Sequence, residues 1–164
     1  MVIRRRLNQD DLKICGYLPW NAFIDLLAME SFDDLSERQR LAHLVFWYSS
    51  EVENGGHLQY FLNQGTQHLG STISALAELG MNCYEQILVD ASSFIKANWR
   101  PEIDTVDEYV TEALENRLGT FDARYGECEK RPDRYLEDYL NKYFEDFIEL
   151  TLGESDKLES SIDI

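Results

Sequence analysis

The chain is poor in several residues that carry structure or chemistry: its 164 residues include three cysteines, three prolines and three histidines. Cys15, Cys83 and Cys128 are odd in number, widely spaced and form no CxxC pair. That argues against a disulfide framework and against a thiolate metal or redox site, so plain thiols are expected. His43, His57 and His68 offer no pair at i, i+4 and no CxxC companion, so neither a metal nor a cofactor is expected. Ser49-Ser50 lacks the GxSxG context of a hydrolase nucleophile. Gly55-Gly56 is followed by no GK[ST] of a phosphate loop. Long apolar runs are missing too, since a membrane span needs about 20 consecutive apolar residues. Residues 1–6 are basic but lead into no apolar core, so they do not read as a signal peptide. A cytoplasmic protein without membrane contact is expected.

Positive charge is the largest deficit. There are 15 basic residues against 31 acidic ones, a formal net charge of −16. The imbalance is uneven: residues 1–100 hold 12 acids and 8 bases, residues 101–164 hold 19 acids and 7 bases. Such a field repels phosphate backbones, which excludes direct nucleic-acid binding and favours basic partners. The plain alternative is that acidity serves solubility. Carboxylate pairs are so abundant that none stands out as a catalytic acid and base, and the chain is not expected to be an enzyme.

Core-forming residues are plentiful, 44% hydrophobic and 12% aromatic, which rules out a wholly disordered chain. Their spacing is helical throughout. Pro19 suits the first turn of a helix bearing Trp20, Phe23, Ile24 and Leu27. Ser36 with Gln39 reads as a capping box. Behind it Leu41, Leu44, Val45, Tyr48 and Val52 mark a central helix that should stop near Asn54-Gly55. A short helix over 57–63 follows, with Leu58, Phe61 and Leu62 inward. Another covers 71–79 and ends at Gly80. An amphipathic helix carries Tyr84, Ile87, Leu88, Ala91, Phe94 and Ile95, and Arg100-Pro101 should break it. Thr105 with Glu108 is a second capping box, followed by Val106, Tyr109, Val110, Ala113 and Leu114 on one face. Residues 133–150 read as one regular helix with a stripe from Tyr135 to Ile148. No strand alternation is found. The expectation is an all-α, compact, single-domain multi-helix bundle over 1–152, with a polar tail over 153–164.

The acids of the second half show order. Asp104, Glu108, Glu112 and Glu115, with Asp107 beside them, fall on one helix face. Asp138, Glu145 and Glu149 share a face of the last helix, with Glu137 and Asp146 adjoining. One turn rises about 5.4 Å, so each set is a regular row of carboxylates. A DNA strand likewise presents one phosphate per about 3.4 Å of axis. A solvated face with favourable N-terminal charge accounts for Asp104, Asp107 and Glu108. It accounts less well for Glu112 and Glu115, near a helix C-terminus.

The stretch Asn54-Gly55-Gly56-His57-Leu58-Gln59-Tyr60-Phe61-Leu62-Asn63 is the most distinctive in the chain. Read locally it is structural. Gly-Gly ends one helix, and Gln59 and Asn63, at i, i+4, could bond turn carbonyls. It also resembles the Asn-Gly-Gly-Phe-x-Gln-Tyr/Phe-Phe-x-Asn motif of a conserved bacterial family of small acidic DNA-mimic proteins. The match covers Asn54, Gly55, Gly56, Gln59, Tyr60, Phe61 and Asn63, and His57 departs from it. The preceding helix, with Trp47 and Glu51, is similar too. The resemblance implies an all-helical, dimeric protein whose DNA-like charge occupies the DNA-binding face of a helix-turn-helix transcription factor. Alternatives are an acidic inhibitor or immunity protein of a nuclease or toxin and, further off, a hydrolase built on the Asn54–Asn63 region.

Overall fold

Helices dominate the computed structural model, which describes residues 2–98 and 103–152, so the expected all-α class holds. In chain order the elements are β1 (Arg5–Asn8), α1 (Gln9–Ile14), α2 (Leu18–Met29), a 3-10 turn (Phe32–Asp34), α3 (Glu37–Gln64), α4 (Leu69–Glu78), α5 (Asn82–Asn98), α6 (Val106–Glu115), α7 (Gly119–Glu127), α8 (Pro132–Lys142), α9 (Phe144–Phe147) and β2 (Ile148–Thr151). They form two compact units, Met1–His43 with Leu136–Ile164, and Leu44–Tyr135. The expected helix break at Arg100-Pro101 and the tail from Gly153 lie outside the described residues.

In the first unit α2 begins as its Pro19 suggests and buries Phe23, Leu26 and Leu27 completely. Phe147 meets Phe23 edge-on, with ring centroids 4.8 Å apart. Each such side chain contributes about 1.5–3 kcal/mol by leaving water. Two expectations fail here. The helix expected over 133–150 ends at Lys142, Tyr143 leaves helical geometry (φ −123°, ψ 35°), and α9 leads into β2. The chain is also not strand-free: β2 pairs in parallel with β1, with Arg5 opposite Ile148 and Leu7 opposite Leu150. The pairing gives the backbone of both segments hydrogen-bond partners that neither has locally. It also lets Phe147 and Ile148 turn inward, where both are buried. The Ser36 capping box is only half made. Gln39 Oε1 accepts the Ser36 N–H at 3.0 Å, while Ser36 Oγ is buried without a hydrogen-bond partner among the described residues. The Gln39 amide instead donates to the carbonyls of Ile3 and Asp146, a better use of a fully buried group.

In the second unit α5 packs against α4 and α7. Its Tyr84, Ile87, Leu88, Ala91 and Ile95 are buried, as the period indicates. Tyr48, Leu58, Tyr60, Phe61, Leu76 and Met81 join that core. The expected interruption of α3 is present as a kink: Gly55 has φ −148°, ψ 25° and Gly56 has φ 72°, ψ −175°. The Gly56 conformation is one that side-chain-bearing residues essentially do not adopt. A Cβ there would also lie 2.6 Å from Asp122 Oδ2. The second glycine is therefore required twice, by backbone geometry and by the approach of α7.

The expectation of three plain thiols is overturned. Cys83 and Cys128 form a disulfide with Cα atoms 6.1 Å apart, and Cys15 alone is free. The bridge ties the start of α5 to the residue that follows α7. Spacing gave no hint of it, because the partners are 45 residues apart and meet only through the packing of α7 on α5.

Candidate partner-binding site

Helix α6 holds the first acidic set. Its capping box is complete: Thr105 Oγ1 accepts the Glu108 N–H, and Glu108 Oε2 accepts the N–H groups of Asp104 and Thr105, both at 2.9 Å. These bonds, the Asp104 backbone first, hold the Glu108 carboxyl below the usual range. Asp104 and Asp107 are exposed and form no ion pair among the described residues. Arg117 pairs with both Glu112, at 3.6 Å, and Glu115. This row of five carboxylates thus carries one guanidinium at its C-terminal end, where a cation opposes the helix dipole. The apolar side of α6 is left largely uncovered in the structure. No residue of the helix is buried, and Val106, Val110 and Leu114 are exposed.

The second set lies in the other unit and is not one helix face. Glu137 and Asp138 stand on α8, Glu145 and Asp146 on α9, and Glu149 on β2. The helical break at Tyr143 removes the common face assigned to Asp138, Glu145 and Glu149, because a strand has a period of two. Arg38 pairs with Asp146 at 2.7 Å and Arg6 with Glu149 at 3.1 Å, so these two acids are partly neutralised. Glu145 and Glu149 border a cleft of about 330 Å³ that Arg4 also lines.

The Asn54–Asn63 stretch builds a polar core rather than turn bonds. Gln59 and Asn63 do not reach turn carbonyls. Their amides donate to Glu51 Oε2 at 2.6 and 2.8 Å, and Gln64 donates to Oε1 at 3.2 Å. Asn54 donates to Gln59 Oε1 at 3.0 Å. The reason is the burial of Glu51, only 7% exposed. A buried carboxyl group is costly unless its oxygens are bonded, and the turn after the kink supplies three donors. Tyr60 and Phe61 are buried as expected.

His57, fully buried, is the first residue after the kink. Its backbone N–H, orphaned by the break, donates to Asp122 Oδ1 at 2.8 Å. Nδ1 lies 2.6 Å from the same oxygen, and Nε2 lies 3.0 Å from the Tyr48 hydroxyl. In the neutral ring the carboxylate accepts from Nδ1–H, which leaves Nε2 to accept from Tyr48. Burial pushes the Tyr48 phenol well above its ordinary range. Asp122 therefore caps the restarted helix from 65 residues away. Beside it a cleft of about 460 Å³ is lined by Glu53, Tyr84, Asp122, Tyr125 and Arg131 among others, and Cys128 of the disulfide also borders it. Burial pushes the Tyr84 phenol up to about 12.

A family model described as DMP19-like protein matches residues 33–146, well over half of the chain. The chain belongs to the DMP19-like protein family. DMP19 is a family of DNA-mimic proteins, which suggests the same role here and implies binding to a DNA-binding protein. No curated protein and no solved structure matches the chain. The DMP19-like region contains the α6 acids, Glu51 with its amides, and Glu137, Asp138, Glu145 and Asp146, while Glu149 falls just beyond it. Among its described residues no helix is long and apolar enough to cross a membrane.

Proposed function

We propose that the chain is a DNA mimic that regulates transcription by occupying the DNA-binding face of a helix-turn-helix transcription factor. The observation that carries this reading is the family match over residues 33–146 on a chain of net charge −16. The α6 acids support it: Asp104, Asp107 and Glu108 stand at an exposed helix start, with no guanidinium partner among the described residues. Carboxylates on such a face compete for the Lys and Arg side chains that otherwise neutralise phosphates. Binding alone suffices, and no catalytic step is needed. We further propose that the acting form is a homodimer.

The test is a three-component competition. The chain is used as bait in its native cytoplasm, the captured protein is purified, and its complex with duplex DNA is titrated with the chain. The expected result is stoichiometric release of DNA, with no binding of the chain to DNA alone. Simultaneous binding of DNA and the chain to the captured protein overturns the reading. A captured protein that cleaves DNA, and is inhibited, replaces the regulator with a nuclease as target.

A further inference from the structure

The Glu53–Asp122 cleft of the second unit has the chemistry of a receptor for a single planar cation. Two carboxylates line it against one guanidinium, that of Arg131. Asp122 engages His57 through Oδ1 alone, which leaves Oδ2 without a hydrogen bond among the described residues. Glu53 is exposed and in no ion pair among them. The rings of Tyr84 and Tyr125, 4.8 Å apart, form an aromatic wall. An independent observation marks the cleft as incomplete. Tyr125 is 8% exposed and its buried hydroxyl faces the Glu53 carboxylate, which can only accept, so no group among the described residues donates to the phenol oxygen. Burial first, and then the charge of Glu53 together with the hydroxyl's hydrogen bond toward it, pushes that phenol up, so it stays protonated in the field of the carboxylates.

We propose that this cleft receives one arginine side chain of the basic partner. A guanidinium is weakly hydrated, stacks on aromatic faces and carries five N–H donors. It can serve Glu53 and Asp122 Oδ2 together and supply the donor that the Tyr125 oxygen lacks. A lysine offers a compact, strongly hydrated charge and gains less from the aromatic wall. Arg131 works against the incoming charge. It sits at the rim, 71% exposed by side chain, held by Asp133 at 3.4 Å. The inference rests on the reading of the chain as an acidic ligand of a DNA-binding protein, and adds a socket to its charged surface.

The test uses the full chain and two small probes, N-acetyl-arginine amide and its neutral counterpart N-acetyl-citrulline amide. Backbone amide NMR titration with the arginine probe is expected to shift Glu53, Gly126 and Cys128 saturably, and the citrulline probe is expected to leave them in place. Glu53→Gln, at an exposed position, should weaken the arginine probe about tenfold, the worth of one charge-assisted hydrogen bond. Arg131→Gln should tighten it, and Glu145→Gln, in the other unit, should change nothing. Shifts spread evenly over all acidic residues, or equal binding by the Glu53→Gln chain, overturn the proposal. The same variants enter the DNA competition. Undiminished DNA release by Glu53→Gln overturns the cleft as a partner contact and leaves the mimic reading intact. Saturable probe binding by a chain that never releases DNA keeps the cation site and removes the mimic reading.

Discussion

Opening the Cys83–Cys128 bridge should lower the stability of the second unit by an amount set by the length of chain it closes. The bridged residues are 45 apart, and the loop-entropy relation gives about 4 kcal/mol at 25 °C for a loop of that size. For a chain of this length about 4 kcal/mol corresponds to a fall of roughly 12 °C in unfolding midpoint. Two perturbations serve, a dithiol reductant and the Cys83→Ser/Cys128→Ser double variant, both followed by circular dichroism on heating. The two should agree, since neither sulfur atom has another covalent partner. Cys15→Ser is the control and should leave the midpoint within about 1 °C. Thiol titration of the native chain should count one reactive cysteine, Cys15, and three after reduction. Three free thiols in the untreated protein, or equal midpoints for the oxidised and serine forms, would refute the reasoning.

Gly56→Ala should destabilise the chain by about 1–3 kcal/mol in chemical denaturation, because it forces a side chain into a glycine-only conformation and against Asp122; a neutral effect would disprove the kink geometry. Thr105→Ala should raise the Glu108 pKa toward its ordinary value and weaken the α6 start by about 1 kcal/mol. Because that pKa is depressed by folding, its contribution to stability is present above the ordinary carboxylate range and lost as pH falls through the lowered value; carboxyl NMR titration reads the shift directly. Asp104→Asn/Asp107→Asn should slow partner association more than Glu112→Gln/Glu115→Gln, whose charge Arg117 already offsets, and more than the Asp10→Asn/Asp11→Asn control; equal losses in stopped-flow association would mean that bulk charge suffices. Light scattering should give twice the chain mass at micromolar concentration, and a concentration-independent monomer would refute the dimer.

Regular helices were legible wherever one face is continuously buried. That is why α2, α4, α5 and the kinked α3 follow from apolar spacing and glycine placement. The end of α8 was hidden by the same logic. Tyr139, Leu140, Tyr143, Phe144, Phe147 and Ile148 keep a helical period across a chain that stops being helical at Tyr143. The parallel partner that decides the matter lies at Arg5–Asn8, far away in sequence. Only the short alternation Ile148-Glu149-Leu150-Thr151 hinted at a strand. At the candidate site the α6 acids and their cap were readable from local spacing. Asp122, Tyr125 and the burial of Glu51 were not, since each gains its meaning from a residue on another helix or across the kink. The exposure of the apolar face of α6 was not legible either: an amphipathic pattern states that a face is apolar, and not whether anything covers it.

The pairing of β1 with β2 bears on how this protein can be produced. The family match runs from 33 to 146, and both strands lie outside it. A clone trimmed to those bounds would discard Phe23, Leu26 and Leu27 together with Phe147, the aromatic and aliphatic heart of one unit. Leu35, Leu136 and Leu140, buried in the intact chain, belong to the unit that such a clone would cut into. Insoluble product from such a clone would report on the choice of boundaries and not on the foldability of the family. Expression trials should therefore keep the chain from its first strand through Thr151.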